Sequence, residues 1–274
     1  MDQQDTPHLS AQTPLVLVES EGAVAILTLD RPQTRNALSR AMMEQMIGQL
    51  DAIAKDTTVK AVVLCAGGPV FSSGHDLKEM TACRDAADAG CAAFDAIFAT
   101  CATMMQKIVT LPQPVIAAVE GMATAAGCQL VASCDLAIAG EAAGFCTPGV
   151  HIGLFCSTPM VALSRNVAPK HAMEMLLLGD RVPAVEAARM GLVNRVVPVG
   201  QAKAEALRLA HHIASKSSVA VSTGKKAFYE QLTMPLPQAY AHASRIMVDN
   251  MLDPDAQEGI GALMARRDPV WRGR

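Results

Sequence analysis

Two hydrophobic periods alternate along the chain. Residues 15–18 (LVLV) and 22–30 (GAVAILTLD) are β-branched apolar runs joined through Glu19-Ser20-Glu21-Gly22, which predicts a strand hairpin ended by Arg31-Pro32. Over residues 39–55 the period changes. Met43, Met46, Ile47, Leu50 and Ile53 recur at helical spacing and predict an amphipathic helix. A strand follows over 59–65, then Gly67-Gly68-Pro69, then a helical stretch over 77–108 whose alanines and Gly90 blur its limits. Leu111-Pro112-Gln113-Pro114 ends that stretch. Further elements are a strand over 115–119, a helix over 127–133 and a strand over 136–139.

The order strand, turn, helix, strand thus occurs twice, which predicts ββα units stacked into a layered α/β core. Beyond Gly153 the pattern is mainly helical. Thr158-Pro159 reads as a helix N-cap followed by proline at the first helical position. Further helices are predicted over 169–178, 183–190, 200–231 with a break near Ser217, 236–251 and 255–267. The division that follows is a loose tail over 1–14, an α/β core over 15–195 and a helical appendage over 196–274.

Composition narrows the picture. The chain has 274 residues, of which 51% are hydrophobic and only 18% charged, so it buries a large core. Aromatics are only 3%, so alanine, the branched aliphatics and sixteen methionines must fill that core. A formal net charge of −3 supplies no field for a polyanion, and nucleic acid is not an expected partner. Eight cysteines lack any metal-ligand or C-x-x-C spacing, so reduced thiols, no metal and a cytoplasmic location are expected. The start, MDQQDTPHLSAQTP, has neither the apolar run of a secretory signal nor the arginines of a transit peptide. Residues 111–140 carry only Glu120 and Asp135 as charges, but their small side chains predict a tightly packed interior rather than a membrane span.

Nucleotide motifs fail on context. Gly224-Lys225-Lys226 lacks the upstream glycine and the following hydroxyl of a phosphate loop, and Gly259-Ile260-Gly261 sits in a helical pattern. Two segments place small residues at strand-to-helix junctions: 71–78 (FSSGHDLK) and 121–129 (GMATAAGCQ). Free N–H groups at such junctions can stabilise an anion, and two junctions brought together could form an oxyanion hole. From spacing alone, tight connections made of glycine and alanine for packing explain them equally well.

The runs RPQTRNALS, VFSSGHDLKEM, PVIAAVEGMATAAGCQLVASCDLAIA, FCTPGVHIGLF and LLLGDRVPAVEAARMGLVNRVVP, in this order, resemble the crotonase (enoyl-CoA hydratase/isomerase) superfamily over nearly the whole chain. The resemblance implies a crotonase-like spiral of ββα units with a C-terminal helical trimerisation region, assembled as a homotrimer or a dimer of trimers. It implies an acyl-CoA thioester as ligand, with coenzyme A as part of the substrate and no separate cofactor. The thioester oxygen would lie between the amides of His75 and Ala126. Arg35, Ala37, Leu38, Ser73, Gly74, Asp76, Leu77, Ala125, Pro148 and His151 would line the pantetheine and acyl path. Lys78, Arg266 and Arg267 would meet the CoA phosphates.

Where hydratases of this superfamily carry two glutamates, the chain has Gln129 and Gly149. An amide can hold water but cannot accept its proton, and glycine offers no side chain. Losing such acid–base help removes ~10²–10⁴-fold per group. His151 is a candidate substitute base, since in an extended segment it would share a face with Gly149. Cys128 and Cys156 read as inert buried thiols and Asp135 as structural. The expectation is an enoyl-CoA hydratase-like lyase of fatty-acyl metabolism with weak or altered activity. The alternatives are a non-catalytic acyl-CoA binder and a malonyl-type CoA decarboxylase, whose enolate forms without a base.

Overall fold

The computed structural model describes residues 14–273, so the tail expected over 1–14 lies, except for Pro14, outside the described residues. A six-stranded sheet forms the centre. It opens with the antiparallel hairpin β1 (Val16–Glu21) and β2 (Val24–Leu29), and continues in parallel through β3 (Ala61–Ala66), β5 (Val115–Val119), β7 (Leu136–Gly140) and β10 (Arg195–Val197).

Both faces of the sheet are covered over β2, β3, β5 and β7, which is why these strands are nearly continuous runs of valine, isoleucine, leucine and alanine, whereas the edge strand β1 is mostly exposed. Alternate residues divide between the faces. Leu27, Leu64, Val115, Ala117 and Val119 face α1 (Arg40–Lys55), α3 (Cys91–Thr110) and α4 (Ala126–Ser133). Val24, Ile26, Val63, Ile116 and Ile138 face Ala202, Ala206 and Ala210 of α8 (Ala202–Ala214). Methyl side chains at every fourth position let α8 lie close to the strands. The Glu120 carboxylate caps α8 by accepting from the amides of Gly200 at 2.9 Å and Ala202 at 2.6 Å, a favourable charge at a helix start.

This moves the boundary expected at residue 195. β10 completes the large sheet and α8 covers one of its faces, so the helical appendage begins with α9 (Ser218–Gln231). Ser217 caps α9 through the Ala220 amide, where the sequence predicted a break. A half-buried trio locks α9 to the core. Asp135 accepts from Lys225 Nζ at 2.7 Å and the Tyr229 hydroxyl at 3.0 Å, while also holding the Val115 amide at 2.7 Å. Helices α10 (Leu236–Met251) and α11 (Pro254–Met264) finish the chain.

A second, smaller sheet lies beside the first. β4 (Val70–Ser72), β6 (Met122–Thr124) and β8 (Gly144–Cys146) run parallel, and β9 (Val182–Pro183) pairs antiparallel at its edge. Periodicity does not register strands of two or three residues, and none of these was predicted. The helical stretch expected over 77–108 divides into α2 (Leu77–Ala82) and α3, separated by a turn ending at Gly90. By length and composition alone α3 could cross a bilayer, yet Ile97, Cys101, Met104, Met105 and Ile108 are buried in the core that it shares with α1 and α4. α5 (Ser157–Asn166) starts before the expected cap, with Cys156 preceding it and Pro159 inside its first turn, where a missing N–H costs nothing. α6 (Pro169–Leu178) and α7 (Ala184–Met190) match their predicted ranges closely.

Candidate active site

The three parallel strands of the small sheet end side by side, and each delivers a segment to one place. Three residues past β4 lies His75, two past β6 lies Ala126, and three past β8 lies Gly149. Neighbouring parallel strands bring these ends together whatever their separation in sequence.

The first two junctions are in close contact. Gly74 takes φ +84°, and a Cβ on it would lie 2.8 Å from the Thr124 carbonyl and 3.2 Å from the Ala126 amide nitrogen. Only glycine fits both demands. The 35–38 segment runs alongside: Ser73 donates to the Arg35 carbonyl at 3.0 Å, Leu38 donates to the Gly74 carbonyl at 2.7 Å, and Leu38 pairs with His75 in a parallel bridge. In such a bridge residues 74 and 76 face Leu38, so the N–H of His75 points to the opposite side.

Asn36, fully buried and absent from the predicted site, fastens this arrangement. Its amide nitrogen donates to the carbonyls of Gly67 at 2.9 Å and Val70 at 2.8 Å, and its main-chain carbonyl accepts from the Ser72 hydroxyl. Asp76 caps α2 by accepting from the amides of Lys78 and Glu79.

The second junction is strained. Ala125 sits at φ +50°, ψ −115°, a conformation costly for a residue with a Cβ. It is held there by its N–H bond to the Cys146 carbonyl at 2.9 Å. Ala126 then opens α4, so its amide has no acceptor within the helix and carries part of the helix's positive end. Sequence patterns give no warning of such a position, because alanine is not a turn signal.

The third junction differs in kind. Gly149 is buried, and a Cβ there would meet Cys156 Sγ at 2.9 Å and the Leu154 carbonyl at 2.9 Å. The Cys156 sulfur, close to the Gly149 amide, fills the room a side chain would need. Burial raises the thiols of Cys128, Cys146 and Cys156, so they stay protonated and unreactive.

His151 does not reach Gly149's side. Residues Pro148–Ile152 form a turn of 3-10 helix rather than an extended segment, so the two-residue alternation behind that expectation fails. The exposed His151 ring bonds the Leu178 carbonyl at 2.8 Å instead. Arg35, Leu77 and Lys78 are exposed, Ser73 and Pro148 half-buried, and Ala37 and Leu38 buried. Arg267 is committed to Glu258, and Arg266 follows α11 in a left-handed turn. Nothing described ties either arginine to the strand ends.

His75 and Gln129 stand out chemically. Burial holds the His75 imidazole below its ordinary pKa, outweighing the Leu38 main chain and the Glu79 carboxylate, which push the other way. Its ring meets Phe98 edge to face, with centroids 5.4 Å apart. Gln129, only 5% exposed, follows Ala126 by one helical turn. A hollow of about 360 Å³ lined by Leu111, Pro112, Lys225 and Tyr229 shares no residue with these strand ends.

A large sheet with a small companion sheet, whose parallel strand ends converge beside the start of α4, defines a protein of the crotonase class. The chain belongs to the enoyl-CoA hydratase/isomerase family, whose profile matches residues 19–274. A rat protein, "Enoyl-CoA hydratase domain-containing protein 3, mitochondrial", is 46% identical over 94% of this chain and 84% of its own. The crystal structure of an enoyl-CoA hydratase from Mycobacterium smegmatis superposes with a TM-score of 0.90 at 47% identity, covering 94% of this chain and 99% of that one. That of human enoyl Coenzyme A hydratase domain-containing protein 3 gives 0.89 at 44%, covering 94% and 100%.

These relatives overturn the cytoplasmic expectation. Those from rat, mouse, Xenopus laevis and human are all named as mitochondrial. Reduced thiols report a reducing compartment and cannot tell one such compartment from another.

Proposed function

We propose that the protein binds an acyl-CoA thioester with its carbonyl oxygen between the amides of His75 and Ala126, as an enoyl-CoA hydratase-like lyase of fatty-acyl metabolism with altered activity. The observation that carries this reading is the close approach of the Gly74 and Ala126 main chains, with Ala126 at an open helix start. Two fixed N–H donors meet charge as it develops on a thioester enolate, and removing one such donor typically costs about 10²–10³-fold in rate.

The proposed departure from full hydratases lies in Gln129 and Gly149. Gln129 can orient a water molecule but cannot take its proton, and Cys156 leaves no room at Gly149. With no carboxylate on either residue, water is held but not activated. Hydration of a short trans-2-enoyl-CoA tests this directly: slow turnover is expected, and a full hydratase rate would overturn the assignment.

The same filled space favours one further reading, an acyl-CoA binder without turnover. Turnover of any thioester, including CO₂ release from a malonyl-type ester, would exclude it. We further propose assembly as a homotrimer or dimer of trimers through the C-terminal helices. Leu236, Tyr240, Met247 and Met251 are exposed at helical spacing along α10, and an apolar stripe on one helix face, unlike scattered apolar residues, is the kind of surface that marks an interface. A monomer by light scattering would contradict it.

A further inference from the structure

The N–H of His75 is useful as a donor only when its direction is fixed, and the residue before it works against that. Gly74 is needed for its φ of +84°, yet glycine also turns more freely than any other residue. Two peptide planes meet there. The plane after Gly74 carries the His75 N–H, and its carbonyl accepts from the Leu38 amide at 2.7 Å. The plane before Gly74 is held by a side chain: the Gly74 N–H donates to the Ser72 hydroxyl at 3.2 Å.

Ser72 ends β4 and is fully buried, out of reach of any ligand. Its hydroxyl proton goes to the Asn36 carbonyl at 2.9 Å, so the hydroxyl ties the 35–38 segment to the peptide ahead of His75. The same residue reaches the second junction. Gly127 follows Ala126, and a Cβ on it would lie 2.5 Å from the Ser72 carbonyl oxygen and 2.8 Å from Ser72 Cβ. The first turn of α4 therefore rests directly on Ser72.

We propose that Ser72 is a positioning residue for both amides. Its hydroxyl sets the direction of the His75 N–H, and its main chain sets the spacing to Ala126. This rests on the acyl-CoA reading above. Removing the hydroxyl strips the Gly74 N–H and the Asn36 carbonyl of these partners in a buried place, where unpaired groups are costly. Rotation about the Gly74 bonds is the easiest repair, and it turns the His75 amide away.

Ser217 supplies a matched control. It is 5% exposed at the start of α9, donates to Asp255 Oδ2 at 2.6 Å and accepts from the Ala220 amide at 3.2 Å. Butyryl-CoA carrying ¹³C at its thioester carbonyl is bound to the native protein, Ser72→Ala and Ser217→Ala, and followed by infrared difference spectroscopy and titration calorimetry. Ser72→Ala is expected to lose about half of the native carbonyl shift, as one of two donors is misdirected. Its affinity should fall about tenfold, the size of one net hydrogen bond. Ser217→Ala should lower the denaturant midpoint and leave shift and affinity at their native values. Ser72→Cys, whose thiol donates and accepts weakly, should fall between native and Ser72→Ala. A native carbonyl shift in Ser72→Ala, or an equal loss in Ser217→Ala, would overturn the proposal. If Ser72→Ala does not fold, Ser72→Cys decides, and a native shift there overturns it. A native protein that does not bind butyryl-CoA would instead defeat the acyl-CoA reading itself, and the proposal with it.

Discussion

The two sheets of this molecule do different work. The large one is long-stranded, covered on both faces and filled with alternating aliphatic side chains, so its residues answer to packing. The small one has strands of two or three residues, and what matters is where they end. The comparison teaches that core volume and site geometry are separately specified. Substitutions should therefore separate stability from binding.

The largest effect is expected at a strand end. Gly74→Val forces a β-branched residue into φ +84° and against the Thr124 carbonyl, parting the amides of His75 and Ala126. Acyl-CoA affinity should fall by about 10- to 100-fold, because both hydrogen bonds to the thioester oxygen are lost. Titration calorimetry would measure the loss. Leu64→Ala in the large sheet makes the opposite case: about 2–5 kcal/mol of stability lost in denaturant unfolding, from a cavity under a fully buried side chain, with acyl-CoA affinity retained. Similar affinity losses from both variants would erase the distinction.

An intermediate effect is expected at the third strand end. Gly149→Glu alone should cost about 1–3 kcal/mol through overpacking against Cys156 and the Leu154 carbonyl. Combined with Gln129→Glu it should give a partial gain in enoyl-CoA hydration, larger when Cys156→Ala is added to clear the sulfur. No gain in the triple variant, with acyl-CoA binding intact, would show a pocket shaped for other chemistry.

The smallest effect is on pH dependence. Burial lowers the His75 pKa in the folded state, so the unfolded chain takes up that proton first, near the ordinary value of 6.5. Stability should thus decline as pH falls below that value through the folded-state pKa, and His75→Asn should flatten the decline in chemical unfolding followed against pH. An unchanged slope would place the responsible group elsewhere.

Much of the large sheet was legible in the sequence and little of the small one. β5, α6 and α10 fall on their predicted ranges because apolar periodicity extends over their full length. β4, β6 and β8 offer too few residues for any period to emerge, although the two junctions that β4 and β6 feed are visible as clusters of small residues. The strain at Ala125 and the Cys156 sulfur beside Gly149 join atoms through space and leave no local pattern. His151 misled because its role assumed an extended backbone, and Pro148–Ile152 coils into a 3-10 turn. The helical pattern over 200–231 predicts α8 as a helix but gives no hint that its alanine stripe faces the sheet.

In the proposed function two main-chain amides polarise one thioester carbonyl. Infrared difference spectroscopy of a bound acyl-CoA carrying ¹³C at that carbonyl measures the polarisation itself. A stretch shifted to lower frequency than in free solution is the predicted result. An unshifted stretch for a ligand shown to be bound would contradict the account.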